Sequence, residues 1–389
     1  MKKSLPFLDL KSQQKKIRKK IEKSIKSVLD HGQYIMGPEI KVLEKLLASY
    51  TSSKFCISCS SGTDALLMIL LSYDIGKGDA IFLPSFTWTA TPEVVVLLGA
   101  TPIFVDVDEY SYNVSCESLQ EGIKNAKKLD LRPRAIISVD LYGQPADYCK
   151  LNEIAKYNKL FLIADAAQSF GASLGKKKVG TLADATATSF FPAKPLGCYG
   201  DGGAIFTNNK ELALKLESIR VHGRGKRKDD SERVGLNARL DTIQAAILIE
   251  KLKIFPEELK NREKSAGIYT EHLKELVQTP TLINEAKSSW AQYTIRLPKR
   301  VNREELIVGL KDRNIPSAVY YSKPLHLQSF YKKFPRNKNM SISENLSRSV
   351  LSLPINLYGK KSLYRKVEKV ISSFVKWLKI YEKKRIQKM

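Results

Sequence analysis

Asp165 closes an apolar run, Leu162-Ile-Ala-Asp165, and Lys194 sits in a turn behind a second one, Thr188-Ser-Phe-Phe-Pro-Ala-Lys194-Pro-Leu-Gly. A carboxylate at the end of one buried strand and an amine just beyond another suit the chemistry of pyridoxal 5′-phosphate (PLP). The lysine would condense with the cofactor aldehyde. The carboxylate would keep the pyridine nitrogen protonated, so that the ring accepts electrons. Taken alone, the pair is equally a helix cap and a surface lysine. The neighbouring segments separate the two readings.

Ser60-Ser61-Gly62-Thr63-Asp64-Ala65 is a small-residue turn between a strand and an apolar helix. Such a turn points backbone N–H groups at a phosphate, or is simply an N-cap at Thr63 or Asp64. Pro84-Ser-Phe-Thr-Trp88 puts an aromatic just past a strand end, where α/β sheets bind cofactors. Trp88 either stacks on a pyridine ring or fills the core. Gln168 follows Asp165 at i+3, so both reach one ligand from the start of a helix, with Gln168 directed at the ring oxygen. Ser189 is polar in an otherwise apolar strand and is a candidate phosphate ligand. Gly197, Gly200, Gly202 and Gly203 let the backbone turn tightly beside the cofactor. These glycines precede a strand, which excludes a dinucleotide fingerprint.

The elements that must carry these residues alternate. Short buried-type strands are expected at 54–58, 80–84, 101–106, 135–140, 160–165, 185–190 and 203–207, with helices between them. That pattern implies a largely parallel sheet covered on both faces. An amphipathic helix with Ile17, Ile21, Ile25, Val28 and Leu29 on one face precedes the sheet, and His31-Gly-Gln-Tyr-Ile-Met-Gly-Pro38 ends it. A long helix from about Asp241, with Pro256 as a bend, leads into a smaller region with a strand at 291–297, a helix at 303–312 and a closing helix from about Lys361. The expected division is an N-terminal arm and helix (1–38), a large cofactor-binding domain (39–255) and a small C-terminal α+β domain (256–389).

The chain has 389 residues, enough for two domains. Its five cysteines include a lone Cys56-x-x-Cys59 without a second pair or histidines at zinc spacing, so no metal site is expected. They read as buried thiols in a reducing cytosol. The start, Met1-Lys-Lys-Ser-Leu-Pro, turns polar at once, and no apolar run reaches the roughly 18 residues of a membrane helix. A cytoplasmic enzyme is the expectation. The net charge is +25. It has local clusters at Lys15–Lys20, Lys176–Lys178, Arg224–Lys228 and Lys376–Lys388, but it is spread along the whole chain. Lysine-rich composition is therefore preferred over a nucleic-acid partner. A positive field would also draw in a diphosphate-bearing substrate.

Over nearly its whole length the sequence resembles the DegT/StrS sugar aminotransferases, PLP enzymes of fold-type I. The likeness runs through Phe7-Leu-Asp-Leu, Ser61-Gly-Thr-Asp-Ala-Leu, Asp140-Leu-Tyr-Gly-Gln, Asp165-Ala-Ala-Gln-Ser-Phe-Gly, Ser189-Phe-Phe-Pro-Ala-Lys-Pro-Leu-Gly and Asn237-Ala-Arg-Leu-Asp. The resemblance implies Lys194 as Schiff-base lysine and acid/base, and Asp165 as partner of the pyridinium. It implies Gln168 at the ring hydroxyl, Gly62, Thr63 and Ser189 at the phosphate, and Trp88 over the ring. It also implies a homodimer in which Asn237 reaches the partner's phosphate and Arg239 the partner's substrate. The motifs are most similar to UDP-2-acetamido-2-deoxy-ribo-hexuluronate aminotransferases, which aminate C3 of a UDP-linked uronic acid with glutamate as donor. That implies a role in cell-surface polysaccharide (lipopolysaccharide, O-antigen) biosynthesis. One departure stands out. Tyr320-Tyr321 replaces a His-Tyr pair that helps hold the sugar, and with the imidazole goes a potential cation. Arg239 can still pair with a carboxylate. A dTDP- or UDP-linked 6-deoxy keto-sugar, aminated at C3 or C4, is the alternative substrate. A non-catalytic regulatory relative is disfavoured by the presence of both Lys194 and Asp165. Sugar dehydration is disfavoured because those relatives carry histidine in place of the lysine.

Overall fold

Alternation of apolar residues explains the central layer. In β2 (Asp79–Pro84), Ile81 and Leu83 enter one core, while Ala80 and Phe82 enter another on the opposite face. Both faces of the strand are buried, as a doubly covered sheet requires. The computed structural model describes residues 5–227, 229–355 and 360–386. Lys228 and Lys388, which close two of the basic clusters, lie outside the described residues.

Helix α1 (Leu10–His31) and helix α2 (Pro38–Thr51) come first. Strand β1 (Phe55–Cys59), helix α3 (Gly62–Ser72), β2 and helix α4 (Ala90–Leu97) follow. Next come β3 (Thr101–Val105), α5 (Cys116–Lys128), β4 (Arg132–Val139), α6 (Tyr148–Asn158) and β5 (Phe161–Asp165). Two short strands, β6 (Ser173–Leu174) and β7 (Lys177–Lys178), lead to β8 (Ala185–Ser189), β9 (Gly203–Thr207) and α7 (Lys210–Ile219). The main sheet has seven strands in the order β1-β9-β8-β5-β4-β2-β3. Helices α3, α4 and α7 supply one cover, and α5 and α6 the other.

Six of the seven strands run in the expected common direction. β9 runs antiparallel to both its neighbours, β1 and β8. The reason is local. No helix intervenes between Ser189 and Gly203, so the chain returns alongside β8 without a crossover. Ser189 pairs with Gly203, and the excursion between them carries Lys194. Cys59, at the end of β1, also pairs with Gly203, which brings the Ser60–Gly62 turn to the same edge.

Helix α8 (Thr242–Leu273) passes through Pro256 without ending. Its Phe255 belongs to the core beside the main sheet, whereas Ala266, Tyr269 and Leu273 belong to a separate one. Beyond α8 and a short strand β10 (Ala286–Lys287), that second core is built on β11 (Tyr293–Arg296), antiparallel to β12 (Val350–Leu353). Helices α9 (Arg303–Lys311) and α11 (Lys360–Ile386) complete it, and α10 (Ser341–Ser349) precedes β12. Ile17 and Ile21 of α1 pack on Ile247 of α8. No described helix is long and apolar enough to cross a membrane. Among the described residues no His/Cys/Asp/Glu cluster suits a metal ion. The five cysteines are unpaired, with Cys56 and Cys59 buried.

Candidate active site

The carboxyl ends of β1, β2, β4, β5 and β8 share one edge of the sheet, which is where α/β folds expose loop residues to a ligand. Asp165 ends β5 and is 7% exposed. Its Oδ2 accepts a 2.9 Å hydrogen bond from the Thr91 hydroxyl, and its Oδ1 accepts one of 3.2 Å from the Ala167 amide. Burial pushes the carboxyl up; those two hydrogen bonds and the charge of Lys194 pull it back. Burial likewise pushes the Lys194 amine below its usual range, with Asp165 acting in the opposite sense. The two groups therefore lie within electrostatic reach of each other. Lys194 is held in a tight turn, its amide bonded to the Phe191 carbonyl at 2.8 Å. Of the two aromatics that lead into this turn, Phe190 is fully buried and Phe191 is 51% exposed.

Gly62 begins α3, and Ser61 caps the helix by accepting from the Asp64 amide at 3.0 Å. The cap is thus Ser61, two or three residues earlier than the alternatives Thr63 and Asp64. Helix geometry leaves the Gly62 and Thr63 amides without an intrahelical acceptor. The start of the helix presses on Ser189, because a Cβ at Gly62 would lie 2.7 Å from the Ser189 Cβ. Gly62, Thr63 and the Ser189 hydroxyl are therefore gathered at the edge where Lys194 emerges. The Ser189 hydroxyl itself accepts a 3.2 Å hydrogen bond from the Phe191 amide.

Gln168 is buried, and both ends of its amide are engaged. Its oxygen accepts from the Tyr142 amide at 2.7 Å, and its nitrogen faces the Tyr321 hydroxyl at 3.3 Å. Tyr321 lies 5.9 Å from the Trp88 ring, centroid to centroid, and edge-on to Phe86. Burial pushes the Tyr321 and Tyr320 phenols up. The Tyr142 hydroxyl donates to the Tyr320 carbonyl. A second tie holds the two loops together. His326 Nδ1 lies 2.6 Å from the Ser85 hydroxyl, and the Leu325 amide donates to the Ser85 carbonyl at 2.8 Å. Trp88 itself is 59% exposed.

Asn237 and Arg239 flank Ala238, whose carbonyl accepts a 3.1 Å hydrogen bond from the Ser60 amide at the edge of this cluster. Asn237 is exposed and accepts a 2.9 Å hydrogen bond from Arg239 Nε. No hydrogen bond or ion pair among the described residues links either to Lys194 or Asp165.

Sequence reasoning missed two participants. Thr91 is a polar residue in the first turn of the apolar helix α4, and that anomaly was its signal. Asp140 is an acid one residue past β4, the same signature as Asp165. Fully buried, it accepts from Ser169, Tyr148 and Ala146 at 2.6, 2.8 and 3.0 Å. Burial raises its carboxyl to about 7 despite those donors.

Residues 15–373 match the model of the DegT/DnrJ/EryC1/StrS aminotransferase family. The chain is 45% identical to a UDP-2-acetamido-2-deoxy-3-oxo-D-glucuronate aminotransferase of Pseudomonas aeruginosa, over 91% of this chain and 96% of that protein. It is 38% identical to a pleiotropic regulatory protein of Geobacillus stearothermophilus, over 95% and 98%. Among solved structures, an aminotransferase of this family from Brucella abortus superposes with a TM-score of 0.92 at 45% identity, covering 95% of this chain and 99% of the other. NtdA of Bacillus subtilis, with bound pyridoxamine phosphate, superposes with a TM-score of 0.84 at 28% identity, covering 95% and 85%.

Proposed function

Because the chain belongs to the DegT/DnrJ/EryC1/StrS family, PLP-dependent aminotransferases of nucleotide-linked keto-sugars, we propose that it aminates C3 of a UDP-linked 2-acetamido-3-keto-hexuronic acid, with glutamate as donor. The 45% identity to the 3-oxo-glucuronate aminotransferase over nearly the full length of both chains carries this reading of the substrate. The product would feed cell-surface polysaccharide synthesis of the lipopolysaccharide and O-antigen kind. A purely regulatory role is disfavoured, since a buried acid and an amine of depressed basicity are retained together.

The residues fit the cofactor. A helix start with two amides free of intrahelical acceptors lies against a serine hydroxyl, and a half-buried lysine and a buried carboxylate share the same edge. When bound, PLP supplies an aldehyde that takes up amino groups and a ring that accepts the electrons released at a neighbouring carbon. In this reading the Gly62 and Thr63 amides and the Ser189 hydroxyl hold the phosphate. Asp165 holds the proton on the ring nitrogen, and Thr91 keeps that carboxylate ionised and oriented. Gln168 braces Tyr321 as well as facing the ring hydroxyl, and Trp88 covers the ring. The Lys194 amine, its basicity lowered by burial, takes the proton from Cα of the donor amino acid and later returns one to the sugar. Tyr320 and Tyr321 face the sugar.

We further infer a homodimer. Asn237 and Arg239 serve the partner's site, and the exposed Tyr34, Ile35, Met36, Val42 and Leu46 lie where a second copy would cover them. The division at 255/256 rests on the two separate cores that meet along α8, and that at 38/39 on the break between α1 and α2. Unpaired buried thiols favour a cytoplasmic location.

The decisive experiment converts the enzyme to its pyridoxamine form and offers a panel of keto-sugar nucleotides, scoring the return of the visible cofactor absorbance. The 3-keto uronate should restore it fastest. Faster recovery with a 6-deoxy keto-sugar would overturn the substrate assignment. Lys194→Ala should abolish both turnover and the visible absorbance, and retention of both would overturn the role of Lys194. Mixing Lys194→Ala with Asn237→Ala subunits should recover activity if the site is shared.

A further inference from the structure

Helix α11 buries Val367, Val370, Phe374, Trp377 and Leu378 in the second core. Its opposite side exposes Arg365, Lys369, Lys376, Lys379 and Lys383. At about 100° per residue these five cations fall within a sector of about 80°. At 1.5 Å per residue the row is about 27 Å long. None of the five makes an ion pair among the described residues. Of the two acids on α11, Glu382 is taken by Arg300 at 3.2 Å, and the exposed Glu368 borders the row. Lys366, just off the row, turns aside to Asp9. The family match ends at residue 373, yet the helix continues to Ile386, so three of the five cations lie beyond it. The shared transamination chemistry therefore gives no reason for them.

We propose that this face of α11 docks the protein on an anionic lipid bilayer. A plane of negative headgroups can meet a straight row of cations along its whole length at once. Ile380, 46% exposed beside the row, adds an apolar side chain at the same level. Nucleic acid fits less well. A helix that reads a duplex enters its groove, whereas α11 has its far side buried in the protein. Single strands are held by stacking on exposed aromatics, but the row has none. Tyr381 is instead stacked on Trp377 at 4.7 Å and bonded to the Arg300 carbonyl at 3.3 Å. The attraction acts within a Debye length and adds about fivefold in partitioning for each cation near the surface. Docking is thus reversible and sensitive to salt.

The test sediments the cofactor-loaded full chain with phosphatidylcholine vesicles, with and without phosphatidylglycerol, from about 0.01 to about 1 M salt. Binding should require the anionic lipid and vanish at high salt. The triple variant Lys376→Glu, Lys379→Glu, Lys383→Glu should bind at least about a hundredfold less. A control with the same change in net charge, Lys124→Glu, Lys127→Glu, Lys128→Glu on the exposed side of α5, should bind nearly as well as the parent. Equal loss in both variants would assign the effect to the +25 charge as a whole and overturn the face. Binding to neutral vesicles, or preference for single-stranded RNA over the vesicles, would overturn the lipid assignment. Thermal melting checks that each variant folds. Should the triple variant not fold, Lys379→Gln and Lys383→Gln singly should each weaken binding about fivefold, and no weakening by either would overturn the proposal.

Discussion

Gly62→Ala sets two opposing effects of similar size against each other. Gly62 is the first residue of α3, and alanine is the better helix former by up to about 1 kcal/mol in a helix interior, less at the first position. Against that gain, the new Cβ would sit 2.7 Å from the Ser189 Cβ and 3.2 Å from its Cα. Both neighbours are near the backbone of a central strand, so neither can swing away. Overpacking of this kind costs about 1–3 kcal/mol, and the steric loss should win. We expect Gly62→Ala to lower the stability of the cofactor-free protein by about 1–2 kcal/mol. It should also weaken PLP binding about tenfold, because α3 can relax only by moving its N-terminal amides away from Ser189. The assay is a double-mutant cycle with Ser189→Gly, which removes the 2.7 Å contact and leaves the 3.2 Å one. Denaturant unfolding without cofactor should show the two changes coupled by at least about 0.5 kcal/mol. Additivity, or a stabilised single variant, would refute the close packing of helix start on strand end from which the proposed phosphate cradle is built.

Thr91→Val keeps the shape but removes the donor to Asp165 Oδ2. A hydrogen bond to a charged group is worth about 1.5–3 kcal/mol, so the carboxyl should rise further. The acid limb of the pH–rate profile should move to higher pH and kcat should fall about tenfold; an unmoved limb would remove Thr91 from the site. Asp140 carries a folded-state pKa of about 7 against an ordinary 3.8. Because the folded value is the higher one, its contribution to stability is complete below pH about 4 and is lost as pH rises through about 7, a change on the order of 4 kcal/mol. Asp140→Asn should flatten the melting temperature across that window, and parallel profiles would refute the assignment. Arg239→Gln should raise KM for a uronate about tenfold or more and leave that for a 6-deoxy keto-sugar unchanged, as steady-state kinetics with both substrates would reveal.

Two kinds of information differed in how far the sequence carried them. The strands were legible because they are buried on both faces. Runs such as Ala80-Ile-Phe-Leu have no other use, and a charge within or just past such a run, as at Asp165 or Lys194, is conspicuous. What depends on a distant partner was not legible. Thr91 gains its meaning from a carboxylate 74 residues away, and Ser85 from His326, 241 residues on. Asp140 carried the same local signature as Asp165, but only the register of β4 beside β5 makes them neighbours. The reversal of β9 was invisible for a related reason. Burial patterns report which faces are covered, not which way a strand runs, and the direction follows from the missing helix between Ser189 and Gly203.

The cofactor end and the sugar end of the proposed site follow different electrostatic logic. At the cofactor end the charges are internal to the chain, since burial and the Lys194–Asp165 interaction work on each other's basicity. At the sugar end this chain offers two phenols, Tyr320 and Tyr321. Burial pushes both phenols up, so at neutral pH they donate hydrogen bonds without carrying charge. A neutral donor receives a hydroxymethyl, a methyl or a carboxylate with little discrimination. A formal cation discriminates by its charge, and an arginine by bidentate geometry as well. In the proposed dimer that cation is Arg239 from the neighbouring subunit, held ready by Asn237 at 2.9 Å. Choice of a uronic acid would then be a property of the assembled dimer, while the capacity to move an amino group would be written in each chain.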